Sequence, residues 1–169
     1  LSNETIEKLL CHSDLSNKQY SKLFTLKMQI AISWEKYSHA TTYGKNALSE
    51  IGFHIPSDSS ILPALFKELV KLKVVLKGRS FDTIDMMQSL DNNLIEDQMN
   101  IIFYLILPTF LSNQNVFIYI TVKGILNSFK YGNTKLAPIY YAGLSVINYY
   151  VYHSPKEGLN IYNLSNTFL

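Results

Sequence analysis

Apolar residues recur at intervals of three and four along most of this chain, and that period limits the fold more than any other feature. Such spacing lines one face of an α-helix with apolar side chains. The four clearest stripes are Leu23, Leu26, Ile30 and Trp34; Ala40, Tyr43, Ala47 and Ile51; Leu65, Leu69, Leu72 and Leu76; and Tyr140, Leu144, Ile147 and Val151. Strict alternation over the length of a strand is hard to find. The sequence therefore predicts an all-α fold.

Capping and breaking residues set the expected helix boundaries. Asn3 can cap a first helix and Asp14 or Asn17 a second, while Gly52 and Gly132 suit the left-handed position that follows a helix end. We expect residues 78–92 to form the longest loop. The predicted helices span about 3–12, 16–33, 35–51, 62–77, 92–112, 115–131 and 134–152, and an eighth begins near 156.

Short connections predict that sequential helices pack as antiparallel hairpins. Small residues mark places where two helices must approach closely: Ala40, Gly44, Ala47, Gly124, Ala137, Ala142 and Gly143. A succession of such hairpins is typical of an α-solenoid. At 169 residues the chain has the length of one domain, so we expect a single helical-repeat domain over 1–169, of about seven to eight helices.

Composition excludes several classes of function. The chain has 15 basic and 13 acidic residues, and Arg79 is its only arginine, so no concentrated basic surface for nucleic acid is expected. A single cysteine, Cys11, allows no disulfide within the chain. Glycine-rich phosphate loops and the Gly-x-Ser-x-Gly motif are absent from the sequence. We therefore expect no enzyme activity and no cofactor.

The two most apolar runs are too short for a membrane span. Residues 101–111 contain Pro108, and residues 116–126 contain Lys123, whereas a span needs about 20 apolar residues. A buried helical hairpin and no membrane span are expected. The chain begins at Leu1 without a recognisable signal peptide, so we interpret it as a cytoplasmic piece of a longer protein.

The segment 23–56 resembles one tetratricopeptide-like unit. Trp34, Glu35, Lys36, Tyr37 and Ala40 stand where such units turn between their helices. A more specific sequence motif follows, made of Tyr43-Gly44, Ala47-Leu48, Ile51-Gly52 and Ile55-Pro56. A second motif comprises Ser128, Lys130-Tyr131-Gly132-Asn133, Ala137, Tyr141-Ala142 and Gly143. A third and weaker motif comprises Gly158, Leu159 and Leu164.

Together these motifs resemble the helical region of large bacterial signalling proteins. Those proteins carry a serine/threonine-kinase-like domain, a STAND-class ATPase domain, the helical region, and then GAF and histidine-kinase or cyclase domains. The sequence departs from the family in residues 78–92, which keep only Met86 and Met87 of an expected leucine-proline-methionine stretch. The resemblance implies a tetratricopeptide-like α-solenoid that is not itself catalytic and that regulates a signalling protein through protein contacts.

The histidine, cysteine and acidic residues do not have the spacing of a metal-binding or catalytic site. No two of His12, His39, His54 and His153 are three or four residues apart, as a metal site on a helix would require. Cys11 and His12 are adjacent and would point in different directions on a helix. The acidic group formed by Asp82, Asp85, Asp91, Glu96 and Asp97 fits no calcium loop and is expected to be solvated. No metal site is predicted.

The twelve tyrosines leave two interpretations open. Tyr140, Tyr141, Tyr149, Tyr150 and Tyr152 crowd one predicted helix, and tyrosine both fills cores and dominates interfaces. The candidate interaction surface is Lys130, Asn133, Tyr140 and Tyr141. We expect it to contact a protein or a neighbouring domain of the same chain. The alternative is a small-molecule-sensing helical domain of a transcription or signalling regulator, with a small ligand held between aromatic helices. A closed aromatic pocket would favour the ligand, and an open groove would favour a protein.

Overall fold

The structure, a computed structural model, describes residues 5, 6, 8, 15–77, 93–150 and 153–167. Of these residues 82% are helical and none forms a β-strand, so the all-α prediction is confirmed. The helices are α1 (Asn17–Ser33), α2 (Tyr37–Glu50), α3 (Ile61–Leu76), α4 (Asn93–Ser112), α5 (Gln114–Tyr131), α6 (Ala137–Tyr150) and α7 (Pro155–Thr167).

The predicted starts of these seven helices, and the predicted ends of the first six, agree with the structure to within three residues. Thr5, Ile6 and Lys8 are helical, but the remainder of the predicted helix 3–12 lies outside the described residues, as does the predicted loop 78–92. The chain divides into two compact units that alternate in sequence. Unit 1 comprises Leu1–Pro56 and Asn93–Phe117, and unit 2 comprises Ser57–Asn92 and Ile118–Leu169. A single helical-repeat domain over 1–169 stays a prediction.

Unit 1 is built from the α1–α2 hairpin and α4, which packs against both helices of the hairpin. The close contact between α2 and α4 depends on Gly44, because a Cβ at this position would overlap the Leu105 side chain. Gln98 of α4 donates its side-chain amide to the Ile51 carbonyl at 2.8 Å, and this bond is buried. Packing of apolar side chains, with Met28, Leu48 and Leu105 fully buried, therefore holds three helices whose order in sequence is interrupted by α3.

The ends of α1 and α2 show how local sequence starts and stops these helices. Ser16, rather than the expected Asp14 or Asn17, caps α1 in a capping box with Gln19. Gly52 ends α2 with φ 78°, and the Phe53 amide donates to the Leu48 carbonyl at 2.7 Å, which is a Schellman motif. Glu35 ends α1 in the same way with φ 55°, although it carries a side chain.

Unit 2 contains α3, most of α5, α6 and α7. Gly124 of α5 faces Tyr140 of α6, and a Cβ there would come within 2.7 Å of the tyrosine ring. Gly158 of α7 lies against the Ser145 carbonyl of α6, so α6 and α7 approach closely. Gly132 has φ 106° and directly follows α5, as predicted. In unit 2 the small residues thus bring α6 close to a neighbouring helix on either side.

Candidate interaction surface

The exposed side of α3 carries large apolar residues where a surface helix would ordinarily carry polar ones. Leu62, Phe66, Val70 and Val74 are 60%, 71%, 47% and 70% exposed. They are four residues apart, so they form a continuous line along one side of the helix. We call these four residues the apolar stripe. The opposite side of α3 buries Ile61, Leu65 and Leu72, which is the ordinary amphipathic arrangement. Exposed apolar residues that adjoin one another are informative because they mark binding sites.

An open groove of about 630 Å³ runs between α3 and α5 beside the apolar stripe. Val70 and Val74 belong both to the stripe and to the α3 wall of this groove. Leu126, Phe129 and Tyr131 form much of the α5 wall. We call this cavity the α3–α5 groove. It provides an apolar depression in which side chains of a partner can be buried.

Among the residues that the structure describes, Glu68 is the only acidic one that lines the α3–α5 groove, and it is buried. Lys71 Nζ lies 2.8 Å from Glu68 Oε1, and Lys123 Nζ lies 4.0 Å from Glu68 Oε2. Burial raises the pKa of Tyr119, and the nearby negative charge of Glu68 raises the pKa of this phenol further. The carboxylate is thus compensated within the protein, and with Lys130 the described lining of the groove carries more positive than negative charge.

Of the four residues of the predicted surface, the structure exposes Lys130, half-buries Asn133 and buries both tyrosines. Lys130 is exposed, lines the α3–α5 groove, and places its Nζ 4.6 Å from the centre of the Tyr131 ring. Asn133 is half-buried and accepts a hydrogen bond from the Tyr141 hydroxyl at 3.1 Å. Tyr140 and Tyr141 are 0% and 1% exposed. The two tyrosines therefore belong to the core, and including them in a solvent-facing surface was wrong.

Tyr140 is buried because its ring packs against a glycine on the facing helix. The ring of Tyr140 fills the space that Gly124 leaves on the facing helix, and burial raises the pKa of its phenol far above the ordinary value. Sequence reasoning also missed the apolar stripe. Its signal was available, since α3 has apolar residues at Leu62, Phe66, Val70 and Val74 in addition to those of its buried stripe.

Other exposed apolar residues occur on α4 and α7. Leu107, Phe110 and Leu111 lie near the end of α4, and Leu159 and Tyr162 lie on α7. Tyr149 and Tyr162 line a second apolar cavity of about 470 Å³. Neither set combines a line of apolar residues along a whole helix, a groove and several lysines, so α3 is the stronger candidate surface.

A smaller cavity of about 200 Å³ lies at the turn of the α1–α2 hairpin in unit 1. Trp34 and Tyr43 contribute aromatic rings to it, and His39 also lines it. Lys27 Nζ lies 4.3 Å from the centre of the Tyr43 ring, and Lys36 Nζ lies 5.0 Å from that of Trp34. The lining therefore pairs each aromatic ring with a cation, an arrangement suited to an anionic ligand with a flat apolar part.

The described histidine and acidic residues considered as metal ligands or acid–base groups do not form a cluster. His39 and His153 are exposed, and the His54 ring contacts the Ser49 hydroxyl at 3.1 Å. Glu96 is an exposed residue of the first turn of α4. Within the described part of the chain, no three His, Cys, Asp or Glu residues come together as metal ligands. Cys11, His12, Asp82, Asp85 and Asp91 lie outside the described residues.

One described helix, α4 (Asn93–Ser112), is long and apolar enough to cross a membrane by length and composition alone. It is longer than the eleven-residue run considered from sequence, because residues 93–100 belong to the same helix. Met99, Ile101, Ile102 and Leu105 of this helix are buried within the protein, and a buried core helix meets the same criterion.

Comparison with known proteins identifies no family and no relative for this chain. The chain matches no protein-family model, no curated protein and no solved structure.

Proposed function

We propose that this chain is a non-catalytic protein-interaction module that docks its partner on the apolar stripe and the α3–α5 groove. The observation that supports this proposal is the exposure of Leu62, Phe66, Val70 and Val74 along a single helix face. Covering these side chains removes apolar area from water, which favours association by about 25 cal/mol per Å² before the costs of binding. The adjoining groove is open, as expected for a protein partner rather than an enclosed ligand.

The proposal extends to the architecture and setting that the sequence resemblance implies. Residues 17–50 of the α1–α2 hairpin span 34 residues, the length of one tetratricopeptide unit. Helix α4 supplies a third helix on this hairpin, although α3 lies between them in sequence, whereas in a regular repeat the next helix along the chain would pack there. We place the module in a cytoplasmic bacterial signalling protein with ATPase and kinase-like domains, where it would hold a neighbouring domain or a separate protein and couple input to output.

Site-specific photo-cross-linking tests this proposal in the parent protein. A photoreactive phenylalanine at Phe66 should give a discrete cross-link to another protein or domain. The same group at the exposed Gln29 of α1 is the matched control and should give none. Introducing Val70→Lys beside the cross-linker should abolish the product, because it places a charge in the buried interface. Equal cross-linking at positions 66 and 29, or none at 66, would contradict the proposal.

A second candidate function is the sensing of a small molecule, which the cavity of unit 1 favours. Trp34 lines this cavity and is the only tryptophan in the chain. Its fluorescence therefore reports on this site alone. Titration with small aromatic carboxylates should quench or shift the emission saturably in the wild type and less in Lys36→Ala. A linear response, identical in both proteins, would exclude this function for the ligands tested.

A further inference from the structure

The exposed half of α3 is cationic as well as apolar, although the composition of the whole chain predicts no concentrated basic surface. Lys67, Lys71, Lys73 and Lys77 are all exposed, and they alternate along the helix with the residues of the apolar stripe. Glu68 is the only acidic residue of α3, and it is buried. No acidic side chain of α3 therefore faces solvent, and a partner that covers this face meets apolar groups flanked by positive charge.

The second wall of the α3–α5 groove has the same sign of charge. The sequence of α5 contains Lys123 and Lys130 and no Asp or Glu. The one carboxylate in the described lining of the groove, that of Glu68, is compensated by Lys71 and Lys123. A partner with acidic side chains beside its apolar ones would therefore be complementary to both walls, and a basic partner would be repelled.

The dimensions of the surface match a short helix. Leu62 and Val74 lie about 18 Å apart along the axis of α3, at 1.5 Å per residue. A partner helix of about three to four turns covers this length. Apolar residues at intervals of three and four on that helix would meet the stripe and enter the groove, which is the helix-in-groove mode of recognition.

We infer that the apolar stripe and the α3–α5 groove bind an acidic amphipathic helix of a partner protein. The inference rests on the proposed function and adds the chemistry of the partner. The groove favours this occupant over an anionic membrane surface, which attracts the same lysines. A flat bilayer would contact the crest of α3 but would leave the apolar lining of the groove, such as Leu126, uncovered.

The test uses the full chain and two labelled peptides of about 14 residues, long enough for this surface at 1.5 Å per residue. Both carry leucines at intervals of three and four, one with glutamates and the other with lysines at the flanking positions. Fluorescence anisotropy should show saturable binding of the acidic peptide and at least about tenfold weaker binding of the basic one. Added salt should weaken binding of the acidic peptide.

Charge reversal and apolar substitution should each disrupt this binding. Lys67→Glu with Lys130→Glu leaves the Glu68 ion pairs intact and should weaken the acidic peptide at least about tenfold. Phe66→Ser with Val74→Ser should weaken both peptides. Lys22→Glu, at an exposed position on α1 of unit 1, is the control and should change neither affinity. Circular dichroism of each variant should match the wild type, because the substituted side chains of α3 and α5 are exposed.

Three results would overturn the inference. The first is an acidic peptide that binds no more tightly than the basic one. The second is a Lys67→Glu/Lys130→Glu variant that binds the acidic peptide as the wild type does. The third is a chain that binds phosphatidylserine vesicles but not the acidic peptide. If position 66 still cross-links to a protein in the parent, the proposed function survives and only the partner chemistry is wrong. If the cross-link is also absent, both proposals fail.

Discussion

Two helices of unit 1 end in the same backbone motif with different residues at its left-handed position. Gly52 adopts φ 78° at no steric cost, and the structure leaves open space where its Cβ would be. Glu35 adopts φ 55°, although an L-residue with a side chain is disfavoured there by about 1–2 kcal/mol. The Lys36 amide donates to the Ala31 carbonyl at 2.8 Å and the Glu35 amide to the Ile32 carbonyl at 2.9 Å, so the hydrogen bonds of the motif are retained.

Exchanging these residue types should shift stability in opposite directions. Gly52→Ala should lower the free energy of unfolding by about 1 kcal/mol, because only the backbone conformation is strained. Glu35→Gly should raise it by about 0.5–1 kcal/mol, after the added flexibility of the unfolded chain is subtracted. Urea denaturation measures both. A Glu35→Gly variant less stable than the wild type would show that the glutamate side chain contributes more than its backbone strain costs.

Two buried threonines provide a second comparison. Thr121 Oγ1 is buried on α5 and finds no hydrogen-bond partner among the described residues. Thr109 is equally buried on α4, but its hydroxyl donates to the Leu105 carbonyl at 2.6 Å. Thr121→Val should raise the free energy of unfolding by about 1 kcal/mol, because it removes an unsatisfied polar group without changing volume. Thr109→Val is the control, and thermal melts should show it no more stable than the wild type.

The burial of Tyr140 predicts that the free energy of unfolding falls at alkaline pH. Burial raises the pKa of this phenol, so at pH above about 10 the unfolded chain loses this proton while the folded chain keeps it. The contribution of Tyr140 to stability is therefore complete below about pH 10 and declines above it, by up to about 1.4 kcal/mol per pH unit. Tyr140→Phe should show a shallower loss of stability in this range than the wild type.

The matched control for this alkaline effect is Tyr162→Phe, which changes an exposed tyrosine of α7. Its unfolding free energy, measured by denaturant titration at each pH, should fall as steeply as that of the wild type. Lysine deprotonation acts equally on all three proteins. Identical slopes for Tyr140→Phe and the wild type would show that the Tyr140 phenol ionises in the folded protein as readily as in the unfolded one.

At the level of elements, the sequence predicts the helices well and their partners poorly. Apolar spacing identifies which side of a helix is buried, as for Leu65 and Leu72 of α3, but not which helix covers it. Gly44 signals a close approach, yet the approaching residue is Leu105, about 60 positions away. The left-handed Glu35 escapes prediction because nothing in its side chain favours that conformation, whereas Gly52 and Gly132 were predicted from their residue type.

The candidate surface was harder to predict than the helices for a physical reason. Tyrosine has a large apolar ring and a polar end, so residue type alone does not separate a core tyrosine such as Tyr140 from an interface tyrosine. Exposure of Lys130 follows from its charge. The residues of the apolar stripe are visible in the sequence, but only the structure shows that no described helix covers them: Leu65 and Leu72 are buried, and Phe66 and Val74 face outward.

Across the whole molecule, the two units are interleaved in sequence. Unit 1 needs Asn93–Phe117 to cover the hairpin formed within Leu1–Pro56. We predict that a fragment of residues 1–56 is poorly helical by itself, because isolated short helices are marginal and the apolar face that α4 covers is open to water. Adding a peptide of residues 93–117 should restore helicity, measured by circular dichroism. Residues 57–92 are the control segment and should not. A fragment 1–56 that is fully helical alone would contradict this prediction.

The same interleaving has a consequence for the chain as it leaves the ribosome. The α1–α2 hairpin is complete at about residue 50, but the residues of α4 that cover it end at Ser112. At about 5–20 residues per second, translation of the intervening segment takes several seconds. During that interval the nascent hairpin exposes the side chains that Ile101, Ile102 and Leu105 later bury. This protein should therefore depend on chaperones that hold apolar nascent segments more than a protein whose helices pair strictly in order of synthesis.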